Sequence, residues 1–369
     1  MVEILTASGF SLGGGLRDLA LSRMQDAMLA QIEKETAVNT DKYQAKYEEY
    51  QAAAQTSRVV SARLSLVANT IQQNLDHITT IKDNLFDMKV AVETAATTTD
   101  MDYIRQVFDS AMTEVNRAAD ALPKVSNLIG NVGKTTWNTP EISYQTDDIG
   151  TRIDITGEYL GSDFYIEDSS GNVWVPDWSI RAMERFTGIG EYSSDTKVDS
   201  AYYTFDGNGI NLNSLSGSAI DFTVFPDVAS ETATYTGTLY KGGLEVMPSW
   251  MYSDFATEAD RTTATDDVDT ARDVVNRQEA ILKSELAKIQ GYENAAKQTV
   301  EQYNELTYKA YEEGYIAQYE GQVEMQNRYQ AMIINLQATA ASQGNYTSLF
   351  RGAIRGMGKL TGSLLNQLV

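Results

Sequence analysis

The side chains that most often carry catalysis or bind metals are scarce in this chain. It has one histidine, His77, and no cysteine. A single histidine cannot supply a paired-histidine zinc motif, and without cysteine there is neither a disulfide nor a thiolate metal site. His77 lies beside an apolar helical seam, where a rim position is a commoner finding than a pH-sensitive contact. We therefore predict no catalytic, cofactor-binding or metal-binding residue, and no enzyme activity.

One loop resembles a calcium site at first sight. The segment DGNGINLN at 206–213 offers oxygen atoms from Asp206, Asn208 and Asn211. An EF-hand loop needs an oxygen ligand at its fifth position and a distant bidentate glutamate, whereas Ile210 stands at that fifth position. We expect a hairpin turn here. The triple glycine at 13–15 lacks the strand and helix context of a phosphate loop, so no nucleotide site is expected either.

A few other polar residues invite two interpretations. Asn74 occupies a seam position of a long helix, where it either fixes the register of packing or sits at a solvated edge. Asn345 begins a glycosylation sequon by pattern only. Paired acidic residues are interpreted as solvated faces and helix caps. These pairs are Glu48-Glu49, Asp147-Asp148 and Asp266-Asp267.

The overall charge limits the partners that we expect. The formal net charge is −22 and the pI is about 4.4, which argues against nucleic acid and against a bare anionic membrane. No 18-residue apolar run exists, so membrane insertion is not expected. The amino-terminal residues lack a basic region, and glycines interrupt their apolar run, so a cleaved signal peptide is not expected. The chain is then either cytoplasmic or exported without one.

Apolar residues repeat in sevens over the first part of the chain. The repeat predicts a long amphipathic helix that packs along another helix. A turn at 97–100 and a second apolar stripe over 104–118 predict a helix hairpin that closes near Pro123. The two heptad positions of the long helix hold Leu64, Ile71, Ile78, Leu85 and Val92, and Val67, Asn74, Ile81, Met88 and Ala95.

The helical periodicity of the sequence stops near residue 131 and returns near residue 257. Between about 140 and 238, glycine-containing turns separate short runs of alternating apolar residues, which predicts strands. Helical periodicity then returns and continues towards the carboxyl terminus. Its seven-residue repeat is carried by Val268, Val275, Leu282, Ile289, Ala296, Tyr303 and Ala310.

These segments together predict an α+β fold. We expect a long antiparallel, coiled-coil-like helical bundle made by the N- and C-terminal segments, with an inserted β-rich domain. The predicted parts are a terminal assembly segment (1–40 with 320–369), a long helical bundle (41–139 with 239–319) and an outer β domain (140–238). The apolar stripes of the ends are thin and interrupted by glycine, so they should order only against neighbouring molecules.

Two tyrosine stripes should meet if the long helices run antiparallel. Counting equal numbers of residues along both helices brings them to the same height. The first stripe is Tyr43, Tyr47 and Tyr50, and the second is Tyr308, Tyr311, Tyr315 and Tyr319.

Two stretches give the chain a family resemblance. The helix pair at 71–120 and the return from strands into a helix at 237–290 are similar to bacterial flagellins, and the ending LTGSLLNQLV resembles a flagellin end. The resemblance implies a structural subunit that self-assembles into the extracellular filament of a bacterial flagellum, used in motility and exported without a cleaved signal peptide. It implies a homo-oligomer held through the N- and C-terminal helices, with an export chaperone and hook-associated proteins as further partners.

Two alternative functions remain open at this point. A hook–filament junction protein has the same general plan, but it caps a filament end and does not propagate. An adhesin or other filament protein would instead use its β domain to bind carbohydrate or a surface. Two tryptophans exposed on one face would favour such binding, whereas full burial would favour a spacer. The tryptophans are Trp137, Trp174, Trp178 and Trp250.

Overall fold

The chain is α+β, with helices at both ends and strands in the middle. A computed structural model describes residues 15–131, 137–138, 140–147, 150–190, 192–199, 201–205, 209–225 and 232–365. Within 15–39 and 336–365 it gives the helical backbone and only some side chains. The helices are α1 (Gly15–Ala95), α2 (Met101–Ala119), a 3-10 helix (Ser249–Phe255) and α3 (Glu258–Leu365). The strands are β1 (Glu141–Gln145), β2 (Arg152–Thr156), β3 (Ser162–Asp168), β4 (Val173–Asp177), β5 (Ala182–Phe186), β6 (Tyr203–Thr204), β7 (Ile210–Ser216), β8 (Ala219–Val224) and β9 (Ala233–Gly243).

The predicted helix boundaries follow from local capping. The carboxylate of Asp100 accepts a hydrogen bond from the backbone N–H of Tyr103, which caps α2 three residues into its first turn. At the start of α3, the carboxylate of Asp260 accepts from both the backbone N–H and the hydroxyl of Thr257. The turn at 97–100 and the return of helix at 257–260 are therefore confirmed.

The strands form two antiparallel sheets. β1 and β2 make a two-stranded ribbon, and the other seven make a curled sheet in the order β6-β5-β4-β3-β9-β8-β7. The central pair, β3 with β9, runs in register from Ser162 opposite Gly243 to Asp168 opposite Gly237. At Gly237 only a glycine fits, because a Cβ there would stand 2.4 Å from the carbonyl oxygen of Glu167.

One continuous core joins the middle of the helices to the sheet. The heptad residues Leu64, Ile71 and Ile78 of α1 are fully buried. They belong to the same apolar cluster as Val268 of α3 and Phe222 of β8. Hydrogen bonds cross the same boundary, since the backbone N–H of Ser162 in β3 donates to the side-chain oxygen of Asn116 in α2 at 2.6 Å.

The predicted fold class is wrong in its defining feature. The structure does not show a long helical bundle made by the N- and C-terminal segments with the β region inserted into it. It shows a long C-terminal helix and a curled antiparallel sheet, and the described residues form four helices in all. The physical reason is that a heptad pattern reports only that one helix face is buried. It does not say which elements bury it, and here α2 and the sheet share that task.

The chain divides into two compact units. One contains residues 56–299, with the sheet and the shared core, and the other contains 1–55 and 300–369. In the first unit, α1 and α3 are tied by ion pairs between Lys82 and Glu279 at 2.7 Å and between Lys89 and Asp269 at 2.6 Å. Among the described side chains after residue 300, only Ala310 and Met332 are buried apolar residues. The described part of the terminal unit therefore has little apolar core of its own.

None of the helices among the described residues is both long and apolar enough to cross a membrane.

Candidate assembly surface

The terminal unit presents a row of exposed aromatic side chains on α3. Tyr308, Tyr311, Tyr315 and Tyr319 have exposed fractions of 69%, 64%, 65% and 63%. Their spacing of three or four residues puts them on one side of the helix. We define the tyrosine face by these four residues with two exposed aliphatic neighbours, Ile316 and Val323.

The opposite side of this part of α3 lies against α1. The ring of Tyr50 lies 6.3 Å from that of Tyr303, centroid to centroid. Gly314 lets the two helices approach closely, because a Cβ at that position would stand 3.1 Å from the Cβ of Tyr43. In this part of the chain α1 covers the side of α3 that carries Tyr303 and Gly314, and the tyrosine face lies on the other side.

The predicted meeting of the two tyrosine stripes is confirmed by one pair. Tyr47 and Tyr311 lie 6.5 Å apart, centroid to centroid, within the distance at which aromatic rings attract each other. Tyr311 nevertheless keeps most of its surface exposed, as do the other three tyrosines of α3. An aromatic contact joins the helices at the edge of the tyrosine face, and most of that face has no cover within the described chain.

The tyrosine face has an acidic character. Glu301, Glu305 and Glu312 are exposed and lie at helical spacings that place them on the same side as the tyrosines. Lys309 forms an ion pair with Glu305 at 2.9 Å, and this hydrogen bond lowers the pKa of the Glu305 carboxyl. A partner that binds this face has to cover aromatic rings and be compatible with the negative charge around them.

Asn74 is fully buried, so the solvated-edge interpretation is wrong. Its amide nitrogen donates to the backbone oxygens of Thr70, at 2.8 Å, and Ser126, at 2.9 Å. Its side-chain oxygen accepts from the backbone N–H of Leu128 at 2.8 Å. Asn74 therefore fixes the segment after α2 against α1 by satisfying backbone groups that would otherwise be buried unpaired.

The other residues that the sequence singled out do not converge on a site. His77 is half-buried beside the core, as expected for a rim position. Asp206 and Asn208 lie outside the described residues, while Asn211 lies in β7. Asp267 accepts a hydrogen bond from the Tyr252 hydroxyl at 2.8 Å, which is a structural role. No cluster that could hold a metal ion occurs among the residues that the structure describes.

The tryptophans do not meet the condition for a binding face. Trp174 and Trp250 are buried. Trp137 stacks on Tyr165 at 5.9 Å, and Trp178 packs edge-on against Phe164 at 6.0 Å. Neighbouring residues of a strand point to opposite faces of the sheet, so the two half-exposed tryptophans pack against opposite faces.

A buried polar junction between α2 and the 3-10 helix was not predicted. The carboxylate of Asp109 accepts hydrogen bonds from the backbone N–H and the hydroxyl of Ser249, at 2.8 and 2.7 Å. Burial raises the pKa of Asp109 to about 7, against the lowering effect of the two hydrogen bonds from Ser249, while Asp254 contributes upward and Arg181 downward. Sequence gives no signal for this contact, because its partners are 140 positions apart.

A second buried polar cluster lies on the sheet. The guanidinium of Arg185 donates to the carboxylate of Asp168 at 2.7 Å and lies over the rings of Trp174 and Tyr235. The Asp168 carboxylate also accepts from the indole N–H of Trp174 at 3.0 Å. The side chains of Asp168, Arg185 and Trp174 thus hydrogen-bond to one another within the sheet, which makes the cluster a structural one.

Comparison with protein-family models and with curated proteins finds no match to this chain.

Proposed function

We propose that this protein is a structural subunit that self-assembles into an extracellular helical filament of flagellin-like type. The observation that carries the proposal is the tyrosine face. Four tyrosines more than 60% exposed on one helix side form an aromatic surface that the described part of a single copy leaves uncovered. Contiguous apolar surface of this kind marks a site of protein association.

The terminal unit has the character of an assembly segment. Its described residues bury few apolar side chains, in contrast to the closed core within residues 56–299. A segment that buries little surface alone gains its order from contacts with neighbours. Contacts between different surfaces of identical copies give filaments when the rotation from one copy to the next does not close into a ring.

The resemblance of 71–120 and 237–290 to flagellins supports the same proposal. Under it, the filament lies outside a bacterial cell, serves motility and is exported without a cleaved signal peptide. An export chaperone and hook-associated proteins would then be further partners. The proposal requires no chemistry from the chain.

Electron microscopy of the purified chain in negative stain, before and after a jump in salt concentration, tests the proposal. Salt screens the mutual repulsion of chains that each carry a formal charge of −22. We expect long filaments of uniform diameter after the jump. Closed rings or short caps that do not grow would favour the junction protein, and a monodisperse monomer at all salt concentrations would contradict assembly altogether.

A further inference from the structure

An open groove lies along α2, away from the tyrosine face. Most of its lining comes from α2, and α1 and the turn between β4 and β5 supply the rest. Its volume is about 620 Å³, within the range of about 300–1,000 Å³ that small-molecule sites occupy. The lining on α2 extends from Tyr103 to Glu114, which corresponds to roughly 16 Å along the helix. The whole groove belongs to the unit of residues 56–299.

Two aromatic side chains from different elements line the groove. Tyr103 of α2 is 60% exposed. Trp178 is half-buried, and its ring packs edge-on against that of Phe205 at 5.6 Å, centroid to centroid. The turn that carries Trp178 is fixed by Asp177, whose carboxylate accepts hydrogen bonds from the backbone N–H and the hydroxyl of Ser179. The ring of Trp178 is therefore held in place without a ligand, which lowers the entropic cost of binding.

The polar groups of the lining are mostly uncharged. Side-chain amides both donate and accept hydrogen bonds, and so do hydroxyls. The charged groups of the lining are two carboxylates and one guanidinium, so their charges nearly cancel. The uncharged polar side chains are those of Asn84, Gln106, Ser110, Thr113 and Ser179.

Arg181 is held in the groove by a strained backbone. Its φ is 53°, in the left-handed region that residues other than glycine rarely adopt. Its backbone oxygen accepts the N–H of Phe205 at 3.0 Å. Its guanidinium Nη1 donates to the hydroxyl of Ser110 at 2.9 Å, which fixes the cation beside α2. Strained residues of this kind concentrate where ligands bind.

The lining favours one class of ligand. Its two carboxylates, Asp87 and Glu114, outnumber the single cation, and the chain as a whole carries a charge of −22, so phosphorylated and other anionic ligands are repelled. A purely apolar ligand would leave the amides and hydroxyls without hydrogen bonds, which costs free energy. A neutral ligand with many hydroxyl groups meets both conditions, because it can hydrogen-bond to the polar groups.

We propose that this groove binds a neutral oligosaccharide. Tyr103 and Trp178 pack against the apolar faces of its sugar rings, and Asn84, Gln106 and Arg181 hydrogen-bond to its hydroxyl groups. One tryptophan and one tyrosine form this site, so it differs from the surface of two tryptophans that the sequence suggested. The inference goes beyond the proposed function and does not depend on it, because a single copy contains the whole groove.

Binding to a printed array of neutral and acidic glycans tests the proposal. The wild-type chain is labelled with a fluorophore and applied at low salt, where the charges of the groove are least screened. We expect binding to at least one neutral oligosaccharide and weaker binding to the acidic glycans. Isothermal titration calorimetry with the bound neutral oligosaccharide then gives its Kd. Binding to none of the neutral glycans, or a preference for acidic ones, overturns the proposal.

Two substitutions locate the binding in the groove. Tyr103→Ala should raise the Kd by about tenfold or more, because the sugar loses an aromatic ring. Tyr202→Ala is its control and should change the Kd by less than about twofold, since that ring is 44% exposed and lies outside the groove.

Gln106→Ala should raise the Kd by about threefold or more through lost hydrogen bonds. Gln73→Ala, at an exposed position of α1 outside the groove, is the control for it. Circular dichroism checks that all four variants keep their helicity. Unchanged affinity in both Tyr103→Ala and Gln106→Ala would show that the sugar binds elsewhere and overturn the assigned site.

Competition distinguishes a saccharide site from a peptide site. A fluorescent derivative of the neutral oligosaccharide is bound first, and the unlabelled sugar should displace it. An oligolysine peptide at the same concentration should not, although its charge is compatible with the carboxylates of the groove. Displacement by the peptide but not by the sugar would make this a peptide groove and refute saccharide binding. None of these measurements requires filaments, so failure of the filament assay would leave this inference standing.

Discussion

Single polar residues decide how the segments after α2 are held. Asn74 and Asp109 are both buried, and both hydrogen-bond to backbone groups far away in sequence. Asn74 is a polar residue at an otherwise apolar heptad position, so the sequence indicates a special role for it. Its partners, Ser126 and Leu128, are invisible in sequence because they belong to a segment without periodicity. Asp109 gives no sequence signal at all.

Replacing Asn74 by leucine should lower the free energy of unfolding by about 1–3 kcal/mol. The substitution keeps the size of the side chain but leaves the backbone N–H of Leu128 buried without its acceptor. Urea denaturation followed by tryptophan emission measures the change. Asn84→Leu is the control, since Asn84 makes the same bond to the carbonyl four residues back but is only half-buried. Equal losses in the two variants would contradict the assigned role of Asn74.

Asp109 should make the stability of residues 56–299 fall as pH rises. Its pKa is about 7 in the folded chain, against 3.8 for the unperturbed group. Between these pH values the folded chain binds the extra proton, so the free energy of unfolding decreases with increasing pH until about pH 7. The neutral carboxyl thus contributes up to about 4 kcal/mol at low pH that is lost above pH 7.

Asp109→Asn should remove this part of the pH dependence. Asparagine keeps a side-chain oxygen for the N–H of Ser249 and does not titrate. Urea denaturation at pH 5, 6, 7 and 8 should show a steeper decline for the wild type than for the variant. Since burial also raises the pKa of Asp163, to about 6, the difference between the two proteins is the decisive quantity. Parallel curves would show that Asp109 is already ionised across this range.

At the scale of the elements, periodicity predicted existence and boundaries well. The heptad residues of α1 are buried except for Val67, which is half-buried, α2 and α3 begin close to where they were expected, and the strands begin at Glu141. Periodicity did not predict which elements pack against α1, because the same apolar face can be buried by a helix or by a sheet. The long bundle was predicted for this reason, and the shared core with β8 shows why the prediction was wrong.

The buried face of α1 can be tested by comparing two new carboxylates. Ile78→Asp places an unpaired charge at a fully buried position and should cost about 3 kcal/mol or more. Gln73→Asp, at an exposed position of the same helix, should cost less than about 0.5 kcal/mol. Thermal unfolding by circular dichroism gives both values. Similar shifts in melting temperature would rule out this face as the one that packs.

On the scale of the whole molecule, the residues of the core differ from those that we propose for assembly. The shared apolar core belongs to 56–299, whereas the tyrosine face belongs to the terminal unit. The candidate surface was partly predictable, since the tyrosine stripe is visible in the sequence. Which side of α3 stays uncovered was not predictable, because it depends on where α1 lies.

Removing residues 1–38 and 345–369 should leave a folded monomer that no longer forms filaments. Among the described residues the shared core runs from Val60 to Ile289, so the unfolding transition of the sheet should keep its midpoint within a few degrees. Analytical ultracentrifugation and negative stain measure assembly, and calorimetry measures folding. Filaments from the shortened chain would place the assembly contacts elsewhere.

The distribution of tryptophan makes the two processes optically separable without a label. All four tryptophans lie within residues 56–299, and the terminal unit has none. Trp174 and Trp250 are buried, so their emission reports on the folding of the sheet and should not respond to changes at the ends of the chain. The exposed tyrosines of α3 contribute their own ultraviolet signal, which is perturbed when they become covered. One unmodified sample therefore carries one spectroscopic signal for folding and another for the covering of the tyrosine face.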